Sequence, residues 1–259
     1  MFAVINGIKL YYEDAGQGQA IVFIHGLGEN SSSWRHQIAE FSKQYRVIAI
    51  DLRGHGQSEY NEEFITMELF ASDVLTLLKQ LHIDKAHFVG HSMGGLINQE
   101  IAAHNLDKML TMTLSDCAGF YPPPMGTTGL ETRLHNIDTM PMSKMAEIIA
   151  NAACRVDAPE TVKDEVRVMF SANRQPPYRQ STISTLKADY REFHSKMLLP
   201  ILLMVGEFDQ TTPLEYAEFL HSVLRGSQLK IIPAAAHMTK MENPKEYNLV
   251  LAEFLKGVK

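Results

Sequence analysis

The chain has 259 residues, 45% of them hydrophobic and 21% charged, which suits one ordinary globular domain with a sizeable core. Its net charge of −6 gives no basic surface for nucleic acid or for an anionic membrane, so neither partner is expected. Two cysteines are too few for a disulfide framework or a thiol-metal cluster. No apolar run approaches the roughly 18 residues of a membrane span, and no secretory signal is visible, so we expect a cytoplasmic protein.

Short β-type runs alternate with helical patterns along most of the chain. Several of these runs are continuously apolar, which is typical of strands buried on both faces of a parallel sheet. The predicted strands are Lys9–Glu13, Ile21–His25, Val47–Ile50, Ala86–Gly90, Leu110–Ser115, Ile201–Val205 and Leu229–Ile232. Helices are predicted over Phe64–Leu81 and Met93–His104, and after the N-cap and proline pairs Thr212-Pro213 and Asn243-Pro244. The alternation predicts an α/β fold with a mostly parallel sheet.

The alternation stops between about residues 119 and 196. Three successive prolines, Pro122 to Pro124, mark the break, and no convincing strand follows them. Short helices are predicted instead, over Ser143–Ala153, Pro159–Ser171 and Thr182–Phe193. We therefore predict an α/β core formed by residues 1–118 and 197–259, with a helical cap inserted over residues 119–196.

The pentapeptide Gly90-His91-Ser92-Met93-Gly94 lies between a predicted strand and a predicted helix. In that context Gly-x-Ser-x-Gly is typical of a nucleophile elbow. A serine that attacks a carbonyl must project from a tight turn, so the residues two before and two after it need minimal side chains. The helix that follows points free N–H groups toward the developing negative charge. The pattern predicts Ser92 as a nucleophile.

A serine hydroxyl needs a base, and the base needs an orienting acid; both are expected after later strands, the acid first. Asp209 follows the sixth predicted strand and His237 follows the seventh. We therefore predict His237 as the base and Asp209 as the acid. Two alternatives for the acid stay open: Asp116, directly after the fifth predicted strand, and more weakly Glu207.

Acyl transfer also requires hydrogen-bond donors for the oxyanion. The backbone N–H of Met93, directly after the serine, is one predicted donor. The loop His25-Gly26-Leu27-Gly28 contains two glycines that let the backbone turn toward a ligand, so the N–H of Leu27 is the second. The substrate-pocket residues predicted beside these donors are Gly26, Trp34, His91 and Met238, with a packing role for Trp34 as an open alternative.

No metal or nucleotide cofactor is expected. His87 and His91 have i, i+4 spacing, but they lie on a strand and a turn, where this spacing does not present a metal-binding face. No Gly-x-Gly-x-x-Gly fingerprint or P-loop follows the first strands.

With these segments in place, the chain resembles the α/β-hydrolase superfamily over nearly its whole length. The segments that carry the resemblance are His25–Gly28, Asp51–Ser58 (Asp-Leu-Arg-Gly-His-Gly-Gln-Ser), Gly90–Gly95, Gly206–Pro213 and Ala236-His237. The resemblance implies an eight-stranded sheet with a helical cap after the sixth strand. The chain is similar to small carboxylesterases, 3-oxoadipate enol-lactonases and meta-cleavage-product hydrolases. Serine at the elbow distinguishes it from haloalkane dehalogenases and epoxide hydrolases, which have aspartate there.

We expect a serine hydrolase that cleaves a small-molecule carboxylic ester or lactone through an acyl-enzyme. A carbon–carbon bond hydrolase with the same triad is one alternative, and a slow-turnover small-molecule receptor is another. The cap arginines that could recognise a substrate carboxylate, with solvated surface positions as the alternative, are Arg133, Arg155, Arg174 and Arg179.

Overall fold

All seven predicted strands belong to one sheet, in a computed structural model that describes residues 1–258. The strands are β1 (Phe2–Ile5), β2 (Ile8–Ala15), β3 (Ala20–Ile24), β4 (Arg46–Ile50), β5 (Ala86–His91), β6 (Met109–Ser115), β7 (Ile201–Gly206) and β8 (Gln228–Ile232). Their order is β1-β2-β4-β3-β5-β6-β7-β8. β2 pairs antiparallel with β1 and β4, and all pairings from β4 to β8 are parallel. The predicted α/β-hydrolase fold, with a mostly parallel eight-stranded sheet, is confirmed.

The hydrophobic pattern does not reveal β1, because most of this edge strand faces solvent. Phe2 and Val4 are exposed, and Ile5 is its one buried residue. Asn6 and Gly7 both have positive φ and turn the chain directly into β2, with Ile5 opposite Ile8. Two residues with positive φ are characteristic of the tight turns that connect hairpin strands.

Helices flank the sheet. Within residues 1–258 they are α1 (Arg35–Phe41), α2 (Met67–Gln80), α3 (Met93–His104), α4 (Leu130–Thr139), α5 (Met142–Ala153), α6 (Glu160–Ser171), α7 (Gln175–Lys187), α8 (Leu214–Val223), α9 (Thr239–Glu242) and α10 (Pro244–Gly257). Helix α2 begins at Met67 rather than at Phe64, because the Thr66 hydroxyl caps it by accepting the Leu69 N–H at 3.1 Å. No helix in this part of the chain is long and apolar enough to cross a membrane.

The sheet separates two apolar layers. Strand β3 shows how the layers arise, since Val22 and Ile24 point to one face while Ile21 and Phe23 point to the other. The first layer contains apolar side chains of α2, α3 and α8, and the second contains those of α1 and α10. The central strands are therefore buried on both faces, which explains why their sequences are continuously apolar.

Between β6 and β7 the chain forms α4 to α7, which we call the cap helices, and adds no strand to the sheet. Apolar side chains of these helices form a third cluster that includes Met238 and Met241, which follow the last strand. The cap helices therefore pack over the edge of the sheet where β8 ends. The helical insertion agrees with the sequence pattern, and its bounds at residues 119 and 196 stay a prediction.

The prediction of a helix over Thr182–Phe193 is right as far as Lys187 and wrong beyond it. Helix α7 begins earlier, with proline in its first turn, and it ends at Lys187. Beyond that point Asp189 pairs with Phe120 in an antiparallel bridge. Backbone pairing with a distant segment thus replaces the helical hydrogen bonds that the local sequence favours. We call this pairing the neck of the cap.

Candidate active site

Ser92 occupies a strained turn between β5 and α3. Its φ is +51° and its ψ is −115°, a conformation that is unfavourable for a residue with a side chain. A Cβ atom on Gly90 would lie 2.3 Å from the carbonyl oxygen of Gly94, and one on Gly94 would lie 2.1 Å from that of Ile24. Glycine at both positions is therefore a steric requirement of this turn.

His237 and Asp209 meet beside this turn, from the loops that follow β8 and β7. Nδ1 of His237 lies 2.9 Å from Oδ2 of Asp209. Oδ1 of Asp209 accepts the backbone N–H groups of Thr211 and Thr212, at 2.7 and 3.0 Å, and its Oδ2 accepts the Thr212 hydroxyl at 2.8 Å. Thr212 therefore holds the carboxylate, and helix α8 begins two residues later, at Leu214.

Asp209 and His237 each shift the pKa of the other in favour of its charged form. Burial alone would raise the pKa of Asp209, but the charge and hydrogen bond of His237 outweigh it and lower the pKa. Burial would lower the pKa of His237, but Asp209 outweighs it and raises the pKa above 6.5. An ionised Asp209 accepts a hydrogen bond from Nδ1–H, so neutral His237 carries its lone pair on Nε2.

The other two acids considered from the sequence have different partners. Oδ1 of Asp116 accepts the Gly206 N–H at 2.9 Å, and its Oδ2 accepts the hydroxyls of Ser115 and Thr239. Burial, assisted by the charge of Asp209, raises the pKa of Asp116 to about 7. Glu207 accepts the Ala234 N–H. Within residues 1–258, neither side chain hydrogen-bonds to His237, whereas Asp209 does.

Ser92 and His237 line a common cavity of about 280 Å³ between the sheet and the cap helices. Leu27, a predicted oxyanion donor, lines the same cavity. Met93, the other donor, is the first residue of α3, and an N–H at that position has no partner within its helix. The apolar part of the cavity wall is formed by Met125, Ile137, Met145, Ile148, Ile149, Ala152, Ala153, Phe170, Leu186 and Met238.

Of the four predicted pocket residues, Met238 lines this cavity and the other three do not. Trp34 is fully buried behind the site and stacks on Phe23, with ring centroids 4.8 Å apart. Its placement in the pocket is therefore wrong, and the packing alternative holds. Gly26 and His91 are set back behind the cavity wall. A Cβ atom on Gly26 would lie 2.4 Å from Oε1 of Glu29, so glycine here leaves room for the Glu29 side chain.

A buried cluster of charged and polar side chains supports the site, and the local sequence pattern does not predict it. Nζ of Lys240 lies 2.8 Å from Oε2 of Glu29, and Nδ1 of His91 lies 2.6 Å from the other oxygen, Oε1. Burial would raise the pKa of Glu29, but His91 and Lys240 outweigh it and hold the pKa well below its ordinary value. His91 also donates from Nε2 to the backbone carbonyl of His237 at 2.7 Å. The cluster therefore connects the turn of the nucleophile to the loop of the base.

Lys240 was the one local signal for this cluster. It lies between methionines in the segment Met238–Met241, where a solvated lysine is not expected. Its partner is distant in sequence, and one chain alone does not identify such a pair. Among residues 1–258, no three His, Cys, Asp or Glu side chains are grouped so as to hold a metal ion.

Comparisons with known proteins agree with this architecture. A family model described as the alpha/beta hydrolase fold matches residues 19–244. The 3-oxoadipate enol-lactonase 1 of Acinetobacter baylyi is 29% identical over 245 residues, covering 92% of this chain and 89% of that protein.

Two solved structures extend the likeness to three dimensions. The enol-lactonase of Burkholderia xenovorans LB400 superposes with a TM-score of 0.93 at 27% identity, covering 99% of this chain and 100% of that one. A thermophilic esterase of Thermogutta terrifontis superposes with a TM-score of 0.92 at 25% identity, covering 100% of this chain and 98% of that one. These relatives support hydrolase activity. The chain belongs to the alpha/beta hydrolase family.

Proposed function

We propose that this protein is a serine hydrolase that cleaves a small-molecule carboxylic ester or lactone through an acyl-enzyme. The observation that supports the proposal best is the position of Ser92 and His237 in one cavity, with Asp209 on the far ring nitrogen of His237. The esterase and the enol-lactonases among the similar proteins favour ester and lactone bonds over other substrates.

Acylation begins when Nε2 of His237 takes the hydroxyl proton of Ser92 as Oγ attacks the carbonyl carbon. The carbonyl oxygen becomes an oxyanion and accepts the backbone N–H groups of Leu27 and Met93. Asp209 stabilises the imidazolium, consistent with its lowered pKa and with the raised pKa of His237. The tetrahedral intermediate then expels the alkoxide, which receives the proton from Nε2, and the acyl group remains on Ser92.

Deacylation repeats these steps with water. His237 removes a proton from the water as its oxygen attacks the acyl carbon, and the same two N–H groups hold the second oxyanion. Collapse of this intermediate breaks the bond to Oγ of Ser92, which recovers its proton from Nε2. For an ester the products are an acid and an alcohol, and for a lactone they are the two ends of one hydroxy acid.

The test is the hydrolysis of p-nitrophenyl acyl esters of increasing chain length by the wild type and by Ser92→Ala. We expect multiple turnovers that the substitution reduces on the order of 10⁴- to 10⁶-fold. Ser222→Ala is the matched control, because Ser222 is an exposed serine on α8. The chain-length optimum measures the size of the pocket.

Near-wild-type turnover by Ser92→Ala would overturn the mechanism. A single stoichiometric burst from folded wild type would favour a receptor. Turnover of a vinylogous diketo acid without esterase activity would favour carbon–carbon bond hydrolysis.

A further inference from the structure

The cavity carries charge on two sides. On the core side Glu29 lines it, and the ammonium group of Lys240, 2.8 Å away, compensates its charge. On the cap side Arg133 of α4 lines it and is partly exposed. No carboxylate oxygen among residues 1–258 lies within 4.0 Å of the Arg133 guanidinium. Arg133 is therefore a cation that faces the cavity without an ion-pair partner in the described chain.

The other three cap arginines considered from the sequence are engaged elsewhere. Arg155 pairs with Asp157, and Arg179 pairs with Asp138 through Nε and Oδ1 at 2.8 Å. Arg174 donates to a backbone carbonyl and lies 5.0 Å from the centre of the Tyr60 ring. None of these three lines the cavity. The structure thus selects Arg133 from the four candidates.

Arg133 lies beside other polar side chains in a cavity wall that is otherwise largely apolar. Asn136, nearly one helical turn later on α4, also lines the cavity. The Arg133 charge acts on the hydroxyls of Tyr121 and Tyr178, which line the cavity as well. Burial raises the pKa of Tyr178 to about 12, and Arg133 opposes that rise. Both phenols stay protonated at neutral pH, so they leave the Arg133 charge uncompensated and can themselves donate hydrogen bonds.

This proposal rests on the proposed function: we propose that Arg133 forms a carboxylate subsite, and that the substrate is an ester or lactone with an ionised carboxylate remote from the scissile bond. A guanidinium matches a carboxylate with two parallel N–H donors. A carboxylate carries one negative charge, which one arginine compensates. A phosphate dianion would need a second cation, and among residues 1–258 Arg133 is the one lysine or arginine that lines the cavity.

The test compares matched pairs of methyl esters. Each pair joins a monomethyl ester of a straight-chain dicarboxylic acid to the methyl ester of the monocarboxylic acid of equal length, from four to eight carbons. We expect the wild type to prefer the anionic member at its best length. Arg133→Gln should lower kcat/KM for that member by about 10- to 100-fold, the range typical of hydrogen bonds to charged groups. The neutral member should change less than about threefold.

Arg179→Gln is the matched control, because it removes the same side chain from the same cap while Arg179 pairs with Asp138 at the surface. It should leave the preference for the anionic member unchanged. Arg133→Lys keeps the charge without the planar pair of donors and should retain part of the preference. Circular dichroism and the thermal unfolding midpoint, compared with those of Arg179→Gln, check that Arg133→Gln is folded.

A binding measurement separates the subsite from the reaction. Ser92→Ala, alone and combined with Arg133→Gln, is titrated with the same anionic and neutral esters by calorimetry. Tighter binding of the anionic ester that disappears with Arg133 supports the subsite, whether or not wild type turns the ester over. Equal binding of both esters, or a preference that survives Arg133→Gln, overturns it. Hydrolysis of neutral esters that depends on Ser92 would then still support the proposed function.

Discussion

The Nζ atom of Lys240 and the Oε2 atom of Glu29 form an ion pair of 2.8 Å that is withdrawn from solvent, with the two residues 0% and 2% exposed. Glu29 lies two residues after Leu27, and Lys240 lies three residues after His237. The pair therefore fastens the loop of the predicted oxyanion donor to the loop of the predicted base. Such a pair is costly to desolvate, and removal of one partner leaves the other charge buried.

Lys240→Met should lower the free energy of unfolding by about 3–5 kcal/mol, because it leaves Glu29 charged and poorly solvated. Adding Glu29→Gln removes that charge and should restore most of the loss. Lys43→Met is the control, since Lys43 pairs with Glu40 at an exposed site, where such a pair contributes about 1 kcal/mol or less. Urea unfolding of the four proteins checks this; equal losses in Lys240→Met and Lys43→Met would contradict it.

Asp209→Asn should reduce kcat by about 10⁴-fold, because an amide neither stabilises the imidazolium nor enforces the required tautomer of His237. Asp116→Asn should retain kcat within about tenfold, because its Oδ1 still accepts the Gly206 N–H and its partners are not part of the triad. Steady-state kinetics with one neutral ester decide between the two acids. The reverse order of effects would assign the acid to Asp116.

The pH dependence of kcat/KM for a neutral ester should show a limb controlled by His237. Its pKa in the folded protein is raised, since the charge of Asp209 outweighs burial. The unprotonated ring is the base, so activity should fall as the pH is lowered through a midpoint above 6.5. A rate profile between pH 5 and 9, with protein integrity checked by circular dichroism, measures the midpoint. A midpoint clearly below 6.5 would mean that Asp209 does not control His237.

Gly94→Ala should destabilise the protein and reduce activity, because the new methyl group meets the carbonyl of Ile24 at 2.1 Å. Overpacking of this kind typically costs about 1–3 kcal/mol, and here it also shifts the turn that carries Ser92. Gly257→Ala is the matched control, since a Cβ atom there meets nothing within 4 Å. Thermal unfolding and esterase assays compare the two. A Gly94→Ala variant as stable and active as Gly257→Ala would refute the steric requirement.

The sheet and the serine turn were accessible from sequence because their signals are local. Buried parallel strands appear as apolar runs, and the Gly-x-Ser-x-Gly pattern lies within five residues, although the atom that excludes a side chain at Gly94 belongs to Ile24 of β3. The order of the strands then brings Ser92, Asp209 and His237 to one edge of the sheet, since the carboxyl ends of neighbouring parallel strands lie together. Their catalytic roles stay predictions.

The errors have a common origin in contacts between distant segments. Trp34 stacks on Phe23 in the core, and its ring centroid lies 4.9 Å from Nζ of Lys240. The predicted helix over Thr182–Phe193 ends at Lys187, and beyond it Asp189 pairs with Phe120. The residues that contact Trp34 and Asp189 lie far from them in the sequence. The composition and periodicity of a short segment therefore do not determine where these two residues lie.

The neck has a consequence for how this protein can change over time. Phe120 and Asp189 are paired, and the Tyr190 N–H donates to the Gly119 carbonyl at 3.0 Å, so the insertion leaves and re-enters the core at one point. A segment whose two ends already meet can be lengthened, shortened or exchanged with little additional loop-closure entropy. Evolution can therefore replace the cap helices as one unit and change the substrate while the core that carries Ser92 stays the same.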